Sequence, residues 1–202
     1  MKFFGNTDKK FLFVHIPKTG GSSIKAIINE SVSMDNWRRD GEYITTTLNT
    51  HIGFTRSDCS EFKDFFKFAM VRHPYNWIMS TYNFGKNKDK FYRKVCSHNN
   101  VAQPDIHMQF DDWLNAASSY NQTDWFCDGS EILIDKVYKL ENFSSSVDDI
   151  CSRIGIQKPK ETFHFKDSKK FNIDEVRSLT GDQKKKIQRI CSRDFELLEY
   201  NI

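Results

Sequence analysis

Two short segments carry residue types suited to gripping anions. The first is Pro17-Lys-Thr-Gly-Gly-Ser-Ser-Ile24. Gly20 and Gly21 let the backbone approach an anion and take angles that other residues resist. A helix starting there presents N–H groups without intrahelical acceptors and a positive dipole end. Ser22 and Ser23 add hydroxyl donors, and Lys18 adds a mobile charge. The lysine precedes the glycines, so this is not the GxxxxGK[ST] phosphate loop. Taken alone, the segment also reads as a glycine turn capped by serine. The second segment is Val71-Arg-His-Pro-Tyr-Asn-Trp-Ile-Met-Ser80. Arg72 ends an apolar run, and open α/β sheets bind ligands outside the carboxyl ends of their strands. Its guanidinium can hold a phosphate through two parallel hydrogen bonds. Ser80 lies on the helix that follows. Taken alone, Arg72 equally fits a surface ion pair.

The elements that must position these residues follow from hydrophobic periodicity. Phe11–Ile16 is an apolar, β-rich run of the buried-strand type, and Ile24, Ile27 and Ile28 then fall at helical spacing. Phe68–Val71 predicts a second strand, followed by a helix over about 75–84 with Pro74 in its first turn. A helix is expected over 111–117, and a third strand over 132–138. Phe143, Val147, Ile150, Cys151 and Ile154 recur at helical spacing, with Gly155 as the stop. A last helix is expected over about 181–199, with Ile187, Ile190, Cys191, Phe195 and Leu198 on one face. Residues 85–105 and 157–172 read as loops. Strands alternating with helices imply an α/β domain with a central parallel sheet flanked by helices.

Composition narrows the function classes. The chain has 202 residues, the size of one compact domain, and a formal charge of +3, too small to argue for nucleic acid. No apolar run approaches the ~20 residues of a membrane-spanning helix. Residues 1–10 are polar and charged and lack a signal-peptide apolar region. Five scattered cysteines form no CxxC pair and read as reduced thiols, giving a cytoplasmic protein as the expectation. Histidines and cysteines form no tight ligand set, so no metal is expected. Most of the lysines over 158–186 read as a solvated face.

Taken together, the two anion-gripping segments resemble the sulfotransferases that use 3′-phosphoadenosine 5′-phosphosulfate (PAPS), in the branch that includes the carbohydrate sulfotransferases. Phe13–Ile24 is similar to that family's 5′-phosphosulfate loop, and Phe68–Tyr75 with Ser80 to its 3′-phosphate segment. Asn121-Gln-Thr-Asp-Trp125, Tyr138-Lys-Leu-Glu-Asn-Phe143 and Arg193–Tyr200 agree in order and spacing. The resemblance implies a P-loop-kinase-like sulfotransferase architecture, as a single domain over 1–202. It implies PAPS as co-substrate without a metal, and an acceptor hydroxyl on a small molecule or carbohydrate. It assigns Lys18 to the bridging region of the donor. Thr19, Gly20, Gly21, Ser22 and Ser23 fall to the 5′-phosphate, and Arg72 and Ser80 to the 3′-phosphate. Lys166 and Ser168 belong to a loop closing over the nucleotide. The family's Golgi members begin with a membrane anchor, which the apolar pattern here does not provide.

Transfer to a hydroxyl needs a base. Among the six histidines, His15 precedes the glycine loop and reads as facing the core or propping the loop, and His73 as packing beside the phosphate. His98 lies in a polar loop, His107 before Trp113, and His164 in a segment resembling a nucleotide contact. His51, in Thr50-His-Ile-Gly-Phe54, lies between the two anion segments where several family members carry a catalytic histidine, and it is the expected base. Glu141 and His107 are the next candidates. Two other readings stay open on sequence: a P-loop-type small-molecule kinase, which lacks its lysine and Mg²⁺ aspartate here, and a nucleotide-binding module without catalysis.

Overall fold

Apolar residues alternate between two destinations along the strands, and this sets the layers. The computed structural model describes residues 4–6, 8–32, 38–39, 42–43, 54–87, 107–117, 119–159 and 176–202. Four strands form the main sheet: β1 (Phe4–Asn6), β2 (Phe11–Val14), β5 (Phe66–Val71) and β8 (Lys136–Lys139), in the order β1-β2-β5-β8. β2, β5 and β8 are parallel, with Phe13 opposite Phe68 and Val71 opposite Lys139. Phe11, Phe13, Phe68 and Met70 face one side. There they pack against α1 (Gly21–Ser31) and α5 (Phe143–Ile154) through Ile24, Ile28, Val147 and Ile150. Leu12, Val14, Ala69 and Val71 face the other side, with Trp77 and Ile78 of α3 (Pro74–Asn87) and Ile187 and Ile190 of α6 (Gly181–Ile190). Strands buried on both faces are what helix-covered parallel sheets require. The phenylalanines stack on the first face, Phe13 on Phe68 across the strands at 5.1 Å and Phe66 on Phe68 along β5 at 5.4 Å.

The smaller elements are β3 (Arg38–Arg39) with β4 (Glu42–Tyr43), α2 (Arg56–Glu61), α4 (Phe110–Ala116), the hairpin β6 (Cys127–Asp128) with β7 (Glu131–Ile132), and α7 (Ser192–Leu197). Among the described residues no helix is long and apolar enough to cross a membrane.

Three expectations shift. The sheet carries an antiparallel edge, β1, which pairs Phe4 with Phe13. Its connection to β2 is too short for a crossover and is closed by Lys9 N–H donating to Asn6 Oδ1 at 2.7 Å. The third parallel strand begins at Lys136 rather than Ile132. Leu133 N–H donates instead to Phe126 O at 2.9 Å, which draws the preceding residues into the β6–β7 hairpin. The last helix breaks at Cys191. Tyr120 N–H takes the Ile190 carbonyl at 2.7 Å, and the Cys191 thiol donates to Tyr120 O at 3.0 Å. Tertiary hydrogen bonds thus replace the helical ladder at this point, and α7 leaves in a new direction with Asp194 turned inward.

Candidate active site

The residues expected to grip anions stand at the carboxyl ends of β2 and β5 and on α3. After β2 the chain passes through Lys18 at φ 66° and Gly20 at φ 84°, both left-handed, before entering α1 at Gly21. Glycine is favoured at such angles; a lysine held there is costly and is a mark of functional loops. Three contacts brace the turn. Thr19 is fully buried and its hydroxyl donates to Ile16 O at 3.0 Å. Trp77 Nε1 of α3 donates to Pro17 O at 2.8 Å. The His15 ring, stacked on Phe13 at 5.7 Å, fills the place a side chain at Gly21 would need. His15 is therefore the expected prop. The Thr19 side chain closes the loop, so only its backbone is left to meet an anion. Ser22 is exposed and Ser23 partly buried in the first turn of α1.

This bracing gives a stability prediction. A Cβ at Gly21 would lie 2.0 Å from His15 Cδ2. Gly21→Ala must displace that ring and is expected to destabilise the fold by about 1–3 kcal/mol, the usual cost of overpacking. Urea denaturation measures it, and an unchanged midpoint would mean that His15 does not hold the loop.

Arg72 follows the last residue of β5 and is partly buried. Burial pulls its pKa down, while Glu141 and Tyr200 act against that pull; so basic a group stays charged. On α3, Trp77, Ser80, Thr81 and Phe84 share one face by their spacing. Lys18 Nζ stands 4.1 Å from the centre of the Phe84 ring, a cation–π contact. Ser80 and Thr81 are 1% and 4% exposed, and neither hydroxyl finds a hydrogen-bond partner among the described residues. Buried hydroxyls without partners are uncommon and ask for a ligand or water. At the end of β8, Leu140 abuts Gly20, where an added Cβ would lie 2.6 Å from its Cδ1.

His73 lies against Tyr75, Phe195 and Tyr200, with ring centres 5.0–5.9 Å away. Burial is the main reason its pKa is pulled below the ordinary histidine value, although Glu141 opposes this. His73 N–H donates to Glu141 Oε1 at 2.7 Å and Tyr200 OH to Glu141 Oε2 at 3.1 Å. Glu141 is thereby engaged in bracing the segment around His73. His107 is exposed, in the turn before α4. His51, His98, His164, Lys166 and Ser168 lie outside the described residues.

Sequence reasoning missed the supports: Trp77 and Phe84 on α3, and Gln122 and Asp194 beneath Arg72. The last two stand inside segments that agree with the family in order, and that agreement was the available signal. Among the described residues no group of three or more His, Cys, Asp and Glu stands close enough to hold a metal ion.

A glycine loop entering α1 and an arginine at the end of the neighbouring parallel strand stand at the same edge of the sheet, where backbone N–H groups and a guanidinium can meet anionic groups. A search of curated proteins returned no match. A model of the sulfotransferase family, however, matches residues 1–201, which span both anion segments and every strand of the main sheet, and the chain belongs to that family.

Proposed function

We propose that the protein transfers a sulfuryl group from PAPS to an acceptor hydroxyl, as one domain over residues 1–202. The observation that supports this reading is the glycine loop and Arg72 at the ends of adjacent parallel strands, β2 and β5, with a buried Ser80 hydroxyl on the next helix that has no hydrogen-bond partner among the described residues. One grip suits any nucleotide; two suit a nucleotide phosphorylated at both the 5′ and 3′ positions. The groups present fit such a donor. The N–H groups of the first turn of α1, with Ser22 and Ser23, would hold the 5′-phosphate. Arg72 and Ser80 would hold the 3′-phosphate, and Lys166 and Ser168 belong to the segment we assign to cover the nucleotide.

Chemistry then follows by in-line displacement. The acceptor oxygen bonds to sulfur as the bond from sulfur to the bridging oxygen of the 5′-phosphate breaks. Lys18 offsets the charge that grows on that oxygen, and His51 takes the acceptor proton. Lysine and arginine supply the cationic stabilisation, and the scheme calls for no metal. A sugar hydroxyl is the acceptor class we favour, in a cytoplasmic setting.

Calorimetry tests the reading. The product nucleotide, adenosine 3′,5′-bisphosphate, is expected to bind far better than ATP. A hydrogen bond to a charged group is worth about 1.5–3 kcal/mol, so Arg72→Ala should weaken that binding roughly 10- to 100-fold. Equal affinity for nucleotides with and without the 3′-phosphate would remove the proposal and favour a kinase-type site.

A further inference from the structure

At the carboxyl end of β5 the Gln122 side chain holds the backbone of Arg72. Arg72 N–H donates to Gln122 Oε1 at 2.7 Å, and Gln122 Nε2 donates to Arg72 O at 2.7 Å. The amide makes both bonds a neighbouring strand would make, just where strand pairing stops. Gln122 is fixed from behind by the carboxylate of Asp194, which accepts from the Gln122 backbone N–H at 2.8 Å and from its Nε2 at 3.1 Å. The same carboxylate accepts from the Thr123 N–H at 3.0 Å and from the Thr123 hydroxyl at 3.1 Å. Gln122, Thr123 and Asp194 are each 0% exposed. Burial drives the Asp194 carboxyl up to about 6 against the pull of these donors, so desolvation here is severe. A buried carboxylate needs this many donors to be tolerated at all. Here its donors come from the residue that bonds the Arg72 backbone and from the residue after it.

The glycine loop is held separately. Its supports are Trp77 on Pro17, Thr19 on Ile16 and the His15 ring against Gly21. None of these passes through Gln122 or Asp194. The two segments are thus held by different hydrogen bonds, although Trp77 also packs edge-on against Trp125 of the turn that carries Gln122.

We propose that Gln122, backed by Asp194, is a positioning residue that sets Arg72 for the 3′-phosphate of the donor, so that its loss falls on recognition of that phosphate alone. This rests on the two-phosphate reading above. A merely structural role would lower stability, or lower affinity for every nucleotide alike. A positioning role lowers the ratio between two nucleotides that differ only in the 3′-phosphate.

The test is calorimetric. Adenosine 3′,5′-bisphosphate and AMP are titrated into wild type, Gln122→Met and Arg72→Ala. Gln122→Met keeps length and volume while deleting both bonds to Arg72. The affinity ratio should fall by about 10-fold in Gln122→Met, with AMP binding within about twofold of wild type, because a charged contact held loosely loses most of its worth. Arg72→Ala should show the same selective pattern, more strongly. Should Gln122→Met fail to fold, Gln122→Asn carries the test, since its shorter amide cannot span both Arg72 groups. A wild-type protein that does not distinguish the two nucleotides overturns the two-phosphate reading and this proposal with it. A wild-type preference that survives in the Gln122 variants, or a parallel loss for both nucleotides, overturns the positioning role and leaves the two-phosphate reading intact.

Discussion

Lys18→Ala is expected to lower kcat by about 10²-fold or more while changing the KM for the donor far less, the signature of an interaction that strengthens in the transition state. The reason lies in where the lysine stands. It occupies a left-handed position at φ 66°, with its ammonium over the Phe84 ring at 4.1 Å. That backbone angle is disfavoured for a residue with a side chain, and the braces around it keep it in place. Charge accumulates on the bridging oxygen only as the sulfur–oxygen bond breaks, so a cation at the mouth of the loop acts mainly then. Steady-state kinetics with saturating acceptor decide the matter. Normal kcat with a raised donor KM would make Lys18 a binding residue only. Lys18→Arg should recover little, since a planar fork does not replace a point charge on a flexible stem.

His51→Ala carries the largest expected loss, about 10²–10⁴-fold in kcat, the usual worth of a general base. Affinity for adenosine 3′,5′-bisphosphate should stay within about twofold, because a base that serves the acceptor has no part in holding the nucleotide phosphates. The pH profile gives a second readout with a definite sign. A histidine base works when neutral, so the wild-type rate should rise with pH through the region of an ordinary imidazole, about 6.5, and then level off. His51→Ala should lose that rising limb. A variant that is slow but keeps the limb would show another group titrating, and Glu141 or His107 would then be examined. Glu141 starts at a disadvantage, since His73 N–H and Tyr200 OH already occupy its two oxygens.

The parts of the fold that periodicity can report were legible. Phe11, Phe13, Phe68 and Met70 and the residues alternating with them form strands buried on both faces, and such strands read as continuous apolar runs. The helix ending at Gly155 was legible because its apolar stripe and its left-handed stop at φ 64° coincide. What escaped was decided by tertiary hydrogen bonds. The apolar stripe of the last helix runs on through Cys191, yet the ladder stops there because Tyr120 claims the Ile190 carbonyl. β1 contains a glycine and an asparagine and has no periodicity to display; its pairing with β2 is fixed by the turn between them.

The site divides in the same way. The placement of Lys18, Gly20 and Arg72 at the carboxyl ends of β2 and β5 was legible, because each follows an apolar run that reads as a buried strand. Gln122 and Asp194 were not, because a buried amide and carboxylate have no local pattern. Their role exists only once α7 is turned so that Asp194 reaches the 3₁₀ turn Gln122–Trp125. The resemblance assigned Thr19 to the 5′-phosphate; its hydroxyl donates to the Ile16 carbonyl within the loop, a contact no local pattern announces.

The central claim is that one nucleotide bridges the two grips. A crystal structure of the protein soaked with adenosine 3′,5′-bisphosphate measures this most directly. The account predicts the 5′-phosphate over the first turn of α1, within hydrogen-bond distance of the backbone at Gly20–Ser23 and with Lys18 drawn toward it. It predicts the 3′-phosphate held by the Arg72 guanidinium and the Ser80 hydroxyl. A nucleotide whose 3′-phosphate projects into solvent, or one seated away from the ends of β2 and β5, would contradict it.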